Sequence, residues 1–318
     1  MSAGKGGLFD RRLLIVAGKG GVGRTTVAAA LALAASRRGK RVLLAQTKSK
    51  DRLAQLFGVS RQFAEVQPVE GNLWAVNMTP EAAMREYGVM VLHSAFLYRQ
   101  VFERDFVRAF LRAIPGLYDY SMLGKVWYHT TEQVGGRPRF DLVVVDGPAT
   151  GHILTLLAIP KVILDTVPEG PLTGPARECQ NLLTDPARTQ AVPVTLAEDL
   201  PVSETIQLAA GLSKLNLPLG PVVVNRLYPP RFRSGMNALA LEQLHGATDD
   251  PVLAPVLRAA RLQHQRSQLN EEHIEKLRSA LPNRQLHLPY IFTANFGRAT
   301  VDELAERLGE QVEGLGVL

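Results

Sequence analysis

The sequence of 318 residues predicts an α/β protein with a doubly wound, mostly parallel sheet and an all-helical insertion. Short apolar runs recur along the chain and end on glycine or polar residues, which is typical of buried parallel strands whose carboxyl ends hold a ligand. The first run, residues 13–17, stops at a glycine cluster that opens an Ala- and Leu-rich helix over 25–36. Between about 79 and 134 the apolar residues change to helical spacing.

The elements follow one another as a βαβ fold requires. A second strand at 42–45 comes after the first helix, and a short helix at 53–57 ends at Gly58. The segment 261–277 is polar and predicts a solvated helical face. Four later apolar runs extend the sheet, at residues 142–145, 191–196, 221–224 and 286–289.

The helical insertion carries phenylalanines at i, i+4 and i+8, namely Phe102, Phe106 and Phe110. Such a stripe is more often plain core than an apolar groove for a client, and both interpretations stay open. Glycines 135 and 136 end the insertion. We therefore predict a flexible N-terminus over 1–11 and one domain over 12–318 that includes the insertion.

Composition excludes several classes of protein. With 46% hydrophobic and 21% charged residues, the chain buries a large core and is not disordered. The single cysteine, Cys179, excludes a disulfide framework and indicates a reducing compartment, so we expect a cytoplasmic protein. No apolar run reaches the length of a membrane span. The net charge of +6 is spread along the chain and predicts no specific nucleic-acid partner.

The strongest motif follows the first strand and reads Gly18-Lys19-Gly20-Gly21-Val22-Gly23-Arg24-Thr25. Glycines let successive amides converge on a phosphate, and the helix that follows adds its positive end. Thr25 stands where such a loop places a Mg²⁺ ligand. Arg24 occupies the position of the usual lysine, and its longer planar fork keeps phosphate attraction while losing the positioning that phosphoryl transfer needs.

Two motifs together resemble a known family. Lys19, in the second position of the loop, resembles the lysine of the deviant Walker A signature. About 120 residues later, Asp146 to His152 (Asp-Gly-Pro-Ala-Thr-Gly-His) resembles the Asp-Thr-Ala-Pro-Thr-Gly-His switch of the ArsA and guided-entry ATPases. The helical insertion lies between the two motifs, and the pair is much more specific than either motif alone.

The resemblance implies a role for each matching residue. Residues 20–26, including Thr26, would cradle the phosphates of ATP or ADP, and Lys19 would act across a dimer on the partner's nucleotide. Thr25 and Asp146 would hold Mg²⁺, with Lys19 and Asp146 as the catalytic candidates. The adenine would be contacted by Asn225 and by the loop of Pro289, Tyr290 and Ile291. Asn225 is also suited to capping the turn that follows it.

One further departure from the family concerns hydrolysis. Lys48 stands where the family's first switch has the aspartate that orients water, and a cation cannot accept the proton of that water. We therefore expect a degenerate ATP-binding subunit that pairs with itself or with an intact paralogue. The alternatives are an active ATPase with a rewired site, using Asp51 or a partner's carboxylate on the water and coupled to a client or membrane partner, and a non-enzymatic scaffold. A positioning ATPase of the ParA or MinD kind is a weaker option.

Overall fold

A computed structural model describes residues 7–47, 52–60, 62–92, 117–170, 173–230 and 250–315. Eight strands form one sheet in the order β10-β9-β8-β1-β7-β2-β4-β3, parallel except for β3, and β5 pairs with β6 in a separate hairpin. The strands are β1 Leu13–Ala17, β2 Val42–Thr47, β3 Gln67–Glu70, β4 Leu73–Met78, β5 Gln133–Val134, β6 Arg137–Pro138, β7 Leu142–Asp146, β8 Thr189–Leu196, β9 Val222–Leu227 and β10 Gln285–Pro289.

Helices cover both faces of the sheet, which confirms the predicted doubly wound α/β class. They are α1 Arg24–Arg37, α2 Leu53–Phe57, α3 Pro80–Leu92, α4 Leu117–Thr131, α5 Thr150–Thr166, α6 Thr173–Thr184, α7 Asp199–Lys214, α8 Leu253–Ala280 and α9 Arg298–Leu315. In the ranges given above, none of the helices is both long enough and apolar enough to cross a membrane.

Two apolar clusters fill the space between sheet and helices. Alternate residues of β1 point to opposite faces, so that Leu14 and Val16 join one cluster while Leu13 and Ile15 join the other. The first cluster is packed by α1 and α9, and the second by α4 to α7. Helix α1 buries every residue from 27 to 35 because most of them are alanines, which let the helix lie close to the strands.

The predicted strands and short helices are present, several of them longer by a few residues. The prediction missed β3 and β4. Strand β3, at the edge of the sheet, contains Pro68 and Glu70 and forms no apolar run, whereas β4 lies inside the sheet and has an apolar run, Leu73 to Val76, that the prediction did not include. Helices α3 and α4 lie within the predicted insertion, and its phenylalanine stripe lies outside the described residues. The polar segment 261–277 is helical in α8 and mostly exposed, as predicted.

The segment predicted to be a flexible terminus contains a packed turn. Leu8–Asp10 forms a single turn of 3-10 helix, and Leu8 and Phe9 are buried in the cluster beneath α1 and α9. The prediction of flexibility over 1–11 is therefore wrong for this turn, because two large apolar side chains gain more by burial than the turn loses in conformational freedom.

We expect Cys179 to be chemically inert in the folded protein. Its thiol lies on α6 inside the second apolar cluster, and burial raises its pKa to about 12. Since the thiolate is the nucleophile, iodoacetamide at pH 8 should leave the native protein unlabelled and modify it fully in guanidinium. Mass spectrometry of both samples checks this, and stoichiometric labelling of the native protein would contradict it.

Candidate functional site

The glycine loop connects β1 to α1 at the carboxyl edge of the sheet, and two of its glycines are required by close packing. A Cβ on Gly18 would lie 2.3 Å from the carbonyl oxygen of Val194, and one on Gly23 would lie 2.4 Å from Nδ2 of Asn225. Gly23 also has a φ of 94°. At Gly20 and Gly21 a Cβ would meet no atom within 4 Å, so this side of the loop is open to a ligand.

Asn225 braces the loop from β9, which is separated from β1 by β8. Its Nδ2 donates to the carbonyl oxygen of Val22 at 2.8 Å, and its Oδ1 accepts from the backbone N–H of Arg226 at 2.9 Å. Arg226 adopts a φ of 57°, in the left-handed region. Both residues lie within β9, so this hydrogen bond does not cap the turn after the strand, and the predicted capping and adenine contact of Asn225 stay predictions.

Asp146 lies at the centre of the site, at the end of β7, and is 3% exposed. Its Oδ2 accepts hydrogen bonds from Oγ1 of Thr25 at 2.7 Å and from Nε2 of Gln46 at 3.2 Å. Its Oδ1 is buried and has no hydrogen-bond partner in the described part of the chain. Burial raises the pKa of this carboxyl, and the hydrogen bond from Thr25, the charge of Arg24 and the hydrogen bond from Gln46 oppose that rise.

This pair of oxygen-bearing side chains fits a divalent cation. Mg²⁺ prefers a carboxylate and a hydroxyl as protein ligands, and the buried Oδ1 of Asp146 has capacity to spare. A cavity of about 370 Å³ adjoins both residues and is also lined by Thr47 and His152. Thr25 and Asp146, which the sequence predicted as a metal pair, therefore lie together as that prediction requires.

Arg24 does not extend freely into the loop. Its Nη1 donates to the carbonyl oxygen of Gly147 at 2.5 Å, so the first residue of α1 is tied to the segment that follows β7. Burial lowers the pKa of the guanidinium and the charge of Asp146 partly offsets this effect, but an arginine keeps its charge at every relevant pH.

A larger cavity, of about 720 Å³, lies over the glycine loop and the start of α1. Among its described lining residues three are arginines and none is acidic, which suits a ligand with several negative charges. Phe296 adds an aromatic surface that is 45% exposed. The lining residues are Gly21, Gly23, Arg24, Thr25, Thr26, Arg52, Gln55, Leu56, Arg226 and Phe296.

Lys19 forms an ion pair within its own chain. Its Nζ lies 2.8 Å from Oε1 of Glu204 on α7, with side chains that are 32% and 30% exposed. The predicted action of Lys19 across a dimer stays a prediction, and it requires this ion pair to open.

The predicted adenine loop lies apart from the glycine-loop cavity. Pro289 lines a different cavity, Tyr290 stacks on Tyr228 with ring centroids 5.2 Å apart, and Ile291 packs against the core. Phe296, a few residues later, lines the glycine-loop cavity instead. Lys48 and Asp51, which concern the predicted loss of hydrolysis, lie outside the described residues.

Sequence reasoning missed several residues of the site. Gln46 and Thr47 end a buried parallel strand, and that signal alone marks them as candidates. Three further residues come to the loop from distant parts of the chain, and no local sequence pattern predicts them: Glu204, Arg226 and Phe296.

We expect Asp146→Asn to stabilise the nucleotide-free protein. Because burial raises the pKa of this carboxyl, its ionised form costs folding free energy at neutral pH, and the uncharged amide removes that cost. Each kcal/mol gained should raise the melting temperature by roughly 2–4 °C at pH 7.

The gain should shrink as the pH falls through the raised pKa of Asp146, where the natural side chain becomes protonated and loses the penalty. Differential scanning fluorimetry at pH 7 and pH 5 checks both expectations. A lower melting temperature for the variant at pH 7 would contradict them.

Comparison with known proteins places this site in a family. The model of the anion-transporting ATPase family matches residues 11–169, which include the glycine loop and Asp146. "ATPase BagA" of Mycobacterium tuberculosis is 34% identical over 255 residues, covering 78% of this chain and 74% of the relative.

Less similar relatives match about two thirds of the chain. "ATPase GET3B" of Arabidopsis thaliana is 26% identical over 272 residues, covering 69% of this chain and 65% of the relative. The "Arsenical pump-driving ATPase" of Escherichia coli is 26% identical over 233 residues, covering 68% of this chain and 39% of the relative. The chain belongs to the ArsA family of anion-transporting ATPases.

Proposed function

We propose that this chain is a nucleotide-binding subunit of an ArsA-type dimer whose own capacity for ATP hydrolysis is impaired. The observation that carries the proposal is Arg24, which stands in place of the loop lysine and is hydrogen-bonded to Gly147. The loop around it is built for phosphate, while the group that should position the phosphate for transfer is replaced.

Nucleotide binding is supported by the glycine-loop cavity. Open glycines at 20 and 21, the N-terminus of α1 and three arginines favour a polyphosphate. Phe296 offers a face on which a base can stack, with Arg226 beside it in the same cavity. Thr25 and Asp146 would hold Mg²⁺, which neutralises phosphate charge when it is bound.

Impaired hydrolysis is supported by two substitutions. Arg24 is hydrogen-bonded to a neutral carbonyl, and its planar fork differs from the compact ammonium of lysine. Lys48 replaces the aspartate that the family resemblance assigns to the attacking water. Loss of one well-placed transition-state contact costs about 10²–10⁵ in rate, so two losses leave little turnover.

A dimer gives Lys19 its role. A partly solvent-exposed ion pair such as the one with Glu204 contributes little, on the order of 1 kcal/mol, so a partner's phosphate can draw Lys19 away from it. The partner is a second copy or an intact paralogue, and the dimer acts in the cytoplasm by nucleotide-linked conformational change. A protein client would bind the helical insertion, and the conformational change would alter that binding.

We expect the purified chain to show no ATP turnover above background, and the double substitution Arg24→Lys plus Lys48→Asp to gain at least about 10²-fold. A coupled phosphate-release assay measures both proteins, with each single substitution as a control. Robust turnover by the natural chain that is abolished by Arg24→Ala would overturn the impaired-subunit proposal in favour of an active, rewired ATPase.

We expect Phe296→Ala to weaken ADP binding by roughly 5- to 150-fold, the range that one base–aromatic stack supplies. The matched control is Phe292→Ala, because Phe292 is 63% exposed and packs against Tyr290, away from the glycine loop. Isothermal titration calorimetry with ADP and Mg²⁺ compares the two variants. Equal affinities would show that Phe296 does not contact the base.

A further inference from the structure

The glycine-loop cavity has two ends. Arg24 and Thr25 also line the smaller cavity beside Asp146, so they mark the end at which a metal ion and the 5′-phosphates of a nucleotide would lie. A Cβ on Gly297 would lie 3.8 Å from the carbonyl oxygen of Gln55, so the loop after β10 lies against α2 at the other end. This distal end is lined by side chains that do not reach the smaller cavity, namely Arg52, Gln55, Arg226 and Phe296.

Two arginines at the distal end have no partner for their charge. The guanidinium groups of Arg52 and Arg226 form no hydrogen bond or ion pair with any residue that the structure describes, whereas that of Arg24 is hydrogen-bonded to Gly147. Since no described lining residue is acidic, nothing in this part of the cavity neutralises the two charges. A cavity of this kind attracts an anionic group of its ligand.

The backbone of Arg226 also indicates a binding role. Among the described non-glycine residues only Arg226 and Asn216 have a positive φ, and asparagine tolerates that conformation better than arginine does. The hydrogen bond from the Arg226 N–H to Oδ1 of Asn225 helps to hold this conformation. Strained residues of this kind cluster at active sites and ligand-binding sites.

The 5′-phosphates of a nucleotide do not account for Arg52 and Arg226. Amides of the glycine loop, the N-terminus of α1 and Mg²⁺ at Thr25 and Asp146 would neutralise those phosphates at the opposite end of the cavity. With the base stacked on Phe296, the ribose lies between the base and the 5′-phosphates. A phosphate carried by the ribose is therefore the group that would reach the two arginines.

We propose that this cavity selects a nucleotide that carries a phosphate on its ribose in addition to the 5′-phosphates, and that Arg52 and Arg226 bind the extra phosphate. This inference rests on the proposed nucleotide binding and names the class of nucleotide. A planar guanidinium can donate two parallel hydrogen bonds to phosphate oxygens, which makes arginine well suited to such a group. The selectivity requires no hydrolysis and is compatible with impaired turnover.

Calorimetry with three matched ligands tests this selectivity. ADP is compared, in the presence of Mg²⁺, with two analogues that carry one more phosphate, on the 3′ or the 2′ oxygen of the ribose. We expect one analogue to bind at least about tenfold more tightly than ADP, which is the low end of what a charge-assisted hydrogen bond contributes, because both arginines are solvent-exposed. The preferred analogue shows which ribose oxygen carries the phosphate.

Three variants assign the selectivity to the distal end. Arg226→Gln and Arg52→Gln should each reduce the ratio of the two affinities, and the double variant should abolish the preference. Arg258→Gln is the matched control and should keep the ratio, because Arg258 is an exposed arginine of α8 that lines neither cavity. Melting temperatures show that each variant is folded.

The same titrations separate this selectivity from nucleotide binding itself. ADP binding without tighter binding of either analogue, or a preference that persists unchanged in every Arg226 and Arg52 variant, would overturn the selectivity alone. A natural chain that binds neither ADP nor ATP nor the analogues would overturn the proposed function and this inference with it.

Discussion

A buried carboxylate at the end of β7 organises this site. Asp146 has lost nearly all contact with solvent. Hydrogen bonds from two neighbouring elements partly replace that solvation: one from Thr25 at the start of α1 and one from Gln46 near the end of β2. Sheet register makes this convergence possible, because Val16 and Gln46 pair with Asp146 on either side. A shift of this register by one residue would turn the Asp146 side chain to the opposite face of the sheet, away from Thr25 and Gln46.

The centre of the fold and of the site could be predicted from the sequence because their signals are local. The apolar run of β1, the glycines after it and the alanines of α1 are contiguous, and so are the run of β7 and Asp146. The edge strand β3 lacks such a run and carries polar residues, whereas the interior strand β4 has one, Leu73 to Val76, from which it could have been predicted. The buried turn at Leu8 could not be predicted because its packing partners come from α1 and α9, far away in the chain.

The rest of the site depends on tertiary contacts that no local pattern records. Glu204 meets Lys19 across 185 positions of sequence, and Asn225 meets Val22 across 203. The replacement of the loop lysine by Arg24 is visible in the sequence, yet its contact with Gly147 is visible only in three dimensions. The sequence alone therefore shows that the usual loop lysine is absent. The structure is needed to show that Arg24 donates a hydrogen bond to Gly147.

Two glycines of the loop, Gly18 and Gly23, lie against residues of β8 and β9, and this packing explains why they are retained. Gly18 faces the backbone of Val194, and Gly23 faces the amide of Asn225, so either glycine is demanded by assembly of the sheet itself. Selection for a stable fold would keep both positions even in a lineage that had abandoned ATP turnover. In this chain the two glycines therefore reflect how the loop packs against the sheet, whereas Arg24, beside Thr25, bears on the chemistry of the site.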